Sequence, residues 1–465
     1  MKISFHGAAR SVTGSRHVVQ SGGTRVLLDC GLFQGRRQEA DRKNRTLGFE
    51  AKSVDAVLLS HAHIDHSGAL PALAKQGFSG KVYLTRATGD LADVMLEDSA
   101  RIQESDCAYV NKKERRRGKA CRRPYYDADD VRAITGRFTG VRYDDVFPVR
   151  PRLKASFHDA GHILGSAAIR LMATASGSTT TVLFTGDLGR KQMPILRDPA
   201  PPPPCDVLII ESTYGDRLHS ETEEAAKQKA QDLVAHAVAH RSKIIVPAFA
   251  VGRTQDLVMW LKALVKEGRI APLPIYIDSP MALRATEVFR RHPECYDEQT
   301  YRILTSEGDP FMARYIHYVT SVQESQKLNN LSGPCVIIAA SGMCEGGRVL
   351  HHLKHAISDE ANIIAIVGFQ AEHTLGRKLV EGWETVPIFG VPTPRRAQVV
   401  RFNGLSAHAD RDDLLAYVRA IQPTPAKVFV VHGEEKQSCS LAAAIRTEHP
   451  RIDVVVPEPG STHDL

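Results

Sequence analysis

Leu58-Leu59-Ser60-His61-Ala62-His63-Ile64-Asp65-His66 sets four metal-ligand side chains within six residues, directly behind a short apolar run. The run Val54 to Ser60 reads as a buried strand, so the HxHxDH that follows leaves the sheet as one loop. Imidazole nitrogen and carboxylate oxygen are donors suited to zinc. Alternate positions let His61 and His63 point one way while Asp65 and His66 reach a second point nearby. The plain alternative is a polar loop with accidental histidines, and four ligand types in one post-strand loop weigh against it.

The same grammar recurs along the chain. Thr181 to Asp187, Asp206 to Glu211, Lys243 to Pro247, Leu273 to Ser279, Cys335 to Ser341, Asn362 to Phe369 and Lys427 to Gly433 read as buried strands ending in polar or glycine-rich turns. Between many of them lie amphipathic segments with helical spacing, Asp90 to Glu104, Glu221 to His240 and Thr254 to Glu267. The class is therefore α/β, in which residues at the carboxyl ends of strands face a shared crevice. There stand His162 in DAGHILGS, Asp187 in LFTGDLG and His432 in VFVVHGEE. In each an apolar run fixes the backbone, the ligand follows, and a glycine lets the chain turn close to the metal. Taken singly, each also fits an ordinary loop residue. Together with HxHxDH they complete two metal sites, with Asp187 able to bridge through its two oxygens. Two metals roughly 3.5–4 Å apart generate hydroxide at neutral pH and neutralise charge on a phosphoryl oxygen, which suits a phosphodiester.

Composition sets the limits. The chain has 465 residues, 43% hydrophobic and 24% charged, which suits a globular protein of two or three compact parts. No apolar run approaches the ~20 residues of a membrane helix, so no membrane partner is expected. The start, Met1 to Gly7, reads as a first strand rather than a secretory signal, which gives a cytoplasmic expectation. Eight cysteines contain no CxxC pair, against a zinc ribbon or a disulfide framework, and are expected reduced and mostly buried. A net charge of +7 is compatible with a polyanionic partner without requiring one. The proline run Pro199 to Pro204 reads as a semi-rigid connector between domains.

Asp29 in VLLDCG, the HxHxDH, His162 and Asp187, in this order, resemble the metallo-β-lactamase superfamily. The resemblance implies that His61, His63 and His162 hold one zinc, that Asp65, His66 and His432 hold the other, that Asp187 is shared, and that Asp29 supports the site from behind. The motif set fixes the fold and leaves the substrate open, since lactamases, thioesterases, lactonases and nucleases share it. Further segments resemble the β-CASP branch, nucleases with an extra domain inserted into that scaffold: IIESTYGDR with Glu211, VPAFAVGRTQ with Arg253, IYIDSPMA with Ser279, IAASGMCEGGR from Ile338 to Arg348, and FNGLSAHAD with His408. The chain is similar to bacterial and archaeal relatives of the endonuclease subunit of the cleavage and polyadenylation machinery.

That resemblance implies a metallo-β-lactamase αββα sandwich, residues 1–204 and 383–465, with an inserted α/β β-CASP domain at 205–382. It implies a zinc-dependent ribonuclease with two Zn²⁺ per chain, in RNA processing or decay, acting on single-stranded RNA. A bridging hydroxide is the expected nucleophile, with 5′-phosphate and 3′-hydroxyl ends. DNA-acting members usually carry a non-histidine residue at the last motif, whereas this chain has His432. The pattern departs from the RNase J type, so that neither an additional C-terminal domain after His432 nor an N-terminal KH module of the archaeal type is expected.

For the proton donor to the departing sugar oxygen the candidate is His408, which a carboxylate would orient and make more basic; by resemblance that carboxylate is Glu211. Catalysis is thus assigned to His408, Glu211, Asp65 and Asp187. In Ser341-Gly342-Met343-Cys344-Glu345-Gly346-Gly347-Arg348, glycines before a helix at Val349 to Lys354 offer N–H groups to an RNA phosphate. Ser341, Gly342 and Met343 are therefore RNA-binding candidates, and Arg253, Ser279 and Arg377 are candidates for backbone contacts in the cleft between domains. The basic stretch Asn111 to Arg123 is either a further RNA track or a solvated helix end. Three rivals stay open: a DNA nuclease, a hydrolase of esters, thioesters or lactones, and a non-catalytic RNA-binding subunit. A homodimer is the commonest default assembly.

Overall fold

The computed structural model describes residues 1–35, 37–115, 121–175, 177–219, 221–368, 370–402 and 406–465. Of the basic stretch, residues 116–120 lie outside the described residues, as do 403–405 of FNGLSAHAD and Phe369 at the end of one strand run. The chain divides into two compact units. Unit 1 comprises Met1–Lys191, Arg197–Leu218 and His408–Leu465, and unit 2 comprises Gln192–Leu196 and His219–Ala407.

Unit 1 is built on two mixed sheets of seven strands each among the described residues. The first runs in the order Thr462–Asp464, Lys2–Phe5, His17–Ser21, Thr24–Leu28, Ala56–Leu58, Lys81–Thr85, Phe138–Val141. The second runs Asp453–Val455, Lys427–Val430, Val207–Ile210, Ser178–Phe184, Ala167–Ala175, Leu153–Asp159, Phe147–Arg150. Strand alternation decides what each face meets. Phe5, Val19, Val26, Leu28 and Leu58 from the first sheet share one core with Phe157, Ile169, Leu171, Phe184, Ile209 and Phe429 from the second. The intervening residues of the second sheet, Leu183, Leu208, Ile210, Val428 and Val430, turn the other way onto Leu414, Leu415 and Val418 of helix Arg411–Ala420 and Leu441, Ala442 and Ile445 of helix Glu435–Glu448. Helix Arg86–Arg115 packs against the first sheet at Lys81–Thr85 and Phe138–Val141. This is the αββα sandwich.

The proline run joins Ser178–Phe184 to Val207–Ile210, neighbouring parallel strands of one sheet, and so lies inside unit 1.

Unit 2 carries a six-stranded sheet among the described residues, every strand pairing parallel, in the order Ile316–Tyr318, Ile275–Asp278, Cys335–Ala339, Lys243–Pro247, Ile363–Ile366, Gln398–Arg401. Both faces are covered. Ile244, Val246, Val336 and Ile338 bury against Leu233, Val234, Leu257 and Leu264, while Ile245, Ile337 and Ile364 bury against Val349, Leu353 and Leu379. A parallel sheet buried on both faces accounts for the near-continuous apolar runs in this half of the sequence.

The eight cysteines are free, and Cys30, Cys205, Cys295, Cys335 and Cys344 are buried. Among the described residues no helix is long and apolar enough to cross a membrane.

Candidate metal centre

The centre is assembled by chain ends that leave the two sheets of unit 1. Asp29 follows strand Thr24–Leu28 with a left-handed backbone, φ +58, and its carboxylate organises the HxHxDH loop. Oδ1 accepts from Ser60 N at 2.8 Å, and Oδ2 accepts from Ser60 Oγ at 2.9 Å and faces His66 Nδ1 at 2.7 Å. Ser60 Oγ also lies 3.0 Å from His61 Nδ1. Both histidines therefore present Nε2 inward. Gly31 permits this closeness, because a Cβ there would sit 1.6 Å from Asp65 O. At Gly186, φ +56, a Cβ would sit 2.6 Å from Ser60 Cβ, so glycine is required for Asp187 to arrive beside the loop. His162 is held by its N–H donating to Ser166 Oγ at 3.0 Å. His432, φ +51, donates its N–H to Ala8 O at 2.7 Å.

The donor atoms of His61, His63, His162 and Asp187 lie within 4.8 Å of one another, as do those of Asp65, His66 and His432. Asp187 stands between the groups. Its Oδ2 is 3.5 Å from His61 Nε2 and 3.6 Å from His162 Nε2, and its Oδ1 is 3.3 Å from both His66 Nε2 and His432 Nδ1. That buried Oδ1 accepts a hydrogen bond from neither. His66 Nε2 and His432 Nε2 are 3.0 Å apart, and His61 Nε2 and His63 Nδ1 3.1 Å apart. Converging nitrogen lone pairs and an unsatisfied buried carboxylate oxygen are the donor set of a divalent cation, so the residues fit a metal.

Electrostatics point the same way. Burial, reinforced by the neighbouring His66 charge, holds His61 well below the ordinary histidine range, and burial lowers His63 to about 4. Both are thus neutral, as a metal-binding imidazole must be. Burial opposes the Asp187 carboxylate, but His432 and His66 outweigh it and hold the group well below the carboxylate range. Asp65 is lowered likewise, its desolvation overcome by the hydrogen bond from His432 and the charges around it. His66 goes the other way: burial opposes its charge, yet Asp187 and Asp29 raise it well above the usual value. Without metal, a proton on His66 stands in for the cation. Metal loading at pH 6 is therefore expected to release protons, that of His66 among them, and apparent affinity rises with pH until His66 deprotonates unaided. Calorimetry in buffers of differing ionisation enthalpy measures the proton count, and a count of zero overturns this account.

Glu211 ends strand Val207–Ile210 and is fully buried. Its Oε1 accepts from Leu188 N at 2.7 Å and faces His408 Nδ1 at 3.3 Å, while Oε2 accepts from Thr213 N at 3.2 Å. Asp187, Glu211 and His408 also group within 4.8 Å. With both Glu211 oxygens engaged by backbone N–H groups, this third cluster suits proton chemistry better than a further ion. His408 lies beside His162, ring centroids 4.5 Å apart, and its side chain is 21% exposed.

The RNA-binding candidates Arg253, Ser279, Ser341, Gly342, Met343 and Arg377 belong to unit 2, and the basic stretch belongs to unit 1. Arg253 begins helix Arg253–Lys266, is buried and pairs with Asp256 at 3.1 Å. Ser279 caps helix Pro280–Arg291 by accepting from Ala282 N. In the Ser341–Arg348 loop, the N–H groups of Ser341 and Cys344 bond to Gly346 O and Ser341 O, and that of Glu345 bonds to Ser341 Oγ. Gly376 N donates to Met343 O at 3.1 Å, so Gly342 and Met343 lie beside the helix that carries Arg377, itself paired with Glu381. Arg115, Arg122 and Lys112 lie at the exposed end of helix Arg86–Arg115 and just beyond it. Sequence reasoning missed Ser60, Ser15, Ser166 and Thr213, which contact the candidate ligands or Asp29. Serine or threonine beside a ligand motif is their only signal, and it is common to most loops.

The sandwich and the convergent histidine–carboxylate set define a metallo-hydrolase of the metallo-β-lactamase fold. Family models match in three segments: the metallo-beta-lactamase superfamily at residues 14–149, the Beta-Casp domain at 254–379, and the Zn-dependent metallo-hydrolase RNA specificity domain at 392–457. The chain belongs to the β-CASP family of metallo-β-lactamase proteins. It is 37% identical over 442 residues to Ribonuclease TTHA0252 of Thermus thermophilus, covering 95% of each chain. It is 35% identical over 456 residues to Transcription termination factor FttA of Methanocaldococcus jannaschii, covering 96% of this chain and 69% of that one. An RNase J-like protein of the same archaeon is 30% identical over 448 residues, covering 95% of each. A solved structure from Enterococcus faecalis V583, a protein of unknown function, shares the fold at TM-score 0.54 and 15% identity, covering 100% of this chain and 99% of that one.

Proposed function

We propose that the chain is a zinc-dependent ribonuclease that hydrolyses phosphodiester bonds in single-stranded RNA, leaving 5′-phosphate and 3′-hydroxyl ends. The observation that carries this reading is the His408–Glu211 pair set against the ligand cluster at His162 and Asp187. An ester, thioester or lactone hydrolase needs the cluster but has no evident use for that pair. The ribonuclease relative, 37% identical along almost the whole chain, supports RNA as substrate.

His61, His63 and His162 would hold one zinc, Asp65, His66 and His432 the other, and Asp187 would be shared between them. When bound, the two ions supply a water acidic enough to lose its proton near neutral pH and neutralise charge on the phosphoryl oxygens. The chain's own groups do the rest. A water oxygen bonds to phosphorus as the bond from phosphorus to O3′ breaks, and His408 delivers its proton to O3′. Glu211 faces His408 Nδ1, which directs Nε2 to the substrate and stabilises the protonated ring.

The test uses zinc-loaded protein with 5′-labelled and 3′-labelled single-stranded RNA and the matching DNA. Preferred RNA cleavage with 5′-phosphate and 3′-hydroxyl termini is expected. Termini with 3′-phosphate or 2′,3′-cyclic phosphate reject the proposed chemistry. Intact RNA alongside turnover of a thioester or lactone puts the ester-hydrolase reading in its place.

A further inference from the structure

We propose that Arg217, assisted by Lys436, is a binding subsite for the RNA phosphate on the 5′ side of the scissile bond. The proposal rests on the ribonuclease reading and adds a substrate contact outside the metal centre.

The residues all belong to unit 1. Strand Val207–Ile210 runs into Glu211, and the chain then folds through successive turns, Gly215 N donating to Ser212 O at 3.0 Å and Arg217 N to Tyr214 O at 3.1 Å. Arg411 N donates to Arg217 O at 3.2 Å, which ties this turn to the segment that carries His408. The rings then form a series leading out from the ligands. His162 and His408 are 4.5 Å apart, Tyr214 and His408 are 6.2 Å apart, and the Arg217 guanidinium carbon is 5.7 Å from the Tyr214 ring. The series begins at a buried ligand and ends at an arginine side chain that is 37% exposed.

The charge around Arg217 is arranged for an incoming anion. Asp216 Oδ1 accepts from Arg217 Nε at 2.7 Å, and Lys436 Nζ lies 3.7 Å from Asp216 Oδ2. One carboxylate thus faces two cations. Asp216 engages Nε, while the two terminal nitrogens of Arg217 have no hydrogen-bond partner among the described residues. That edge is the fork that matches a phosphate. Arg10 differs: its Nη1 faces Glu435 at 3.0 Å and its Nη2 faces Glu458 at 3.4 Å.

Chemistry decides which phosphate. His408 protonates O3′, so the strand 5′ of the cleaved bond departs past His408. Tyr214 and Arg217 lie beyond His408 along the ring series, and it is that strand they meet. A cationic groove that follows the backbone is the usual way to hold a single strand without reading its bases.

The test compares zinc-loaded wild type with Arg217→Gln, Arg217→Lys and Lys436→Gln on single-stranded RNA. Arg217→Gln is expected to lower kcat/KM about tenfold, mainly through KM, as the loss of one charge-assisted contact. The slope of log(kcat/KM) against log[salt] should flatten by about 0.7, one phosphate contact on a single strand. Arg217→Lys should recover part of the loss, and Lys436→Gln should lose less than Arg217→Gln. Trinucleotides with one cleavable linkage and one methylphosphonate assign the side. The Arg217→Gln penalty should vanish when the neutral linkage is 5′ of the cleaved bond and persist when it is 3′. An unchanged salt slope, no rescue by lysine, or a penalty that persists on the 5′-neutralised substrate overturns the subsite. RNA left intact by the wild type brings down the ribonuclease reading and the subsite with it, whereas wild-type cleavage with no Arg217 effect brings down the subsite alone.

Discussion

Asp187→Ala is expected to strip the centre of metal and lower RNA cleavage by about 10³-fold or more, the several kcal/mol that bound metal contributes to charge stabilisation. The reason lies in the position of the carboxylate. Among the described residues Asp187 alone has oxygens within 3.6 Å of His61, His162, His66 and His432, so its removal takes a donor from both candidate ligand groups at once. It also removes the negative charge that, with Asp29, sustains the proton on His66. Metal content by mass spectrometry, beside circular dichroism to verify the fold, checks the prediction. A folded Asp187→Ala protein that retained two metals per chain would refute the shared position.

His408→Ala should behave differently: metal retained, kcat for RNA reduced about 10²–10⁴-fold, as for loss of a general acid. Its ring contributes to neither of the two ligand groups built on HxHxDH, His162 and His432. The decisive comparison varies the leaving group. A p-nitrophenyl diester loses p-nitrophenolate, a stable anion that departs without a proton, so His408→Ala should cost far less on that substrate than on RNA. Equal losses on both would assign His408 to metal binding or structure instead of proton delivery. Glu211→Gln, which keeps the shape but removes the charge facing Nδ1, should lower kcat in the same direction by a smaller factor.

Much of the architecture was legible because strand signals are local. Lys243–Pro247 and Cys335–Ala339 carry unbroken apolar runs, and such runs belong to a parallel sheet covered on both faces. The helix at Arg253–Lys266 matches its 3.6-residue periodicity to within a residue at each end. The ligand loop could be read because HxHxDH concentrates its donors in one segment. The proline run illustrates the opposite case. Its composition resembles a linker, yet it joins adjacent strands of one sheet, because the same stiffness serves a short crossover as well as a domain boundary. Arg217 carries no signal of its own for a related reason: in IIESTYGDR only Glu211 has a chemistry that stands out by residue type.

The sequence by itself determined the α/β class, the strands whose ends carry His, Asp or Glu, and the candidate donors these offer, since all of this depends on residue type and on neighbours a few positions away. Tertiary structure alone decided which donors meet. His66 and His432 are 366 positions apart in the chain, yet their Nε2 atoms stand 3.0 Å apart. Asp29 and His432 take left-handed backbones to which β-strand sequence patterns give no clue. The pairing of Glu211 with His408, the central place of Asp187 and the uncommitted edge of Arg217 likewise depend on how two sheets stack and where their loops converge. Those are long-range packing outcomes, set by the whole core at once, and no local stretch of sequence encodes them.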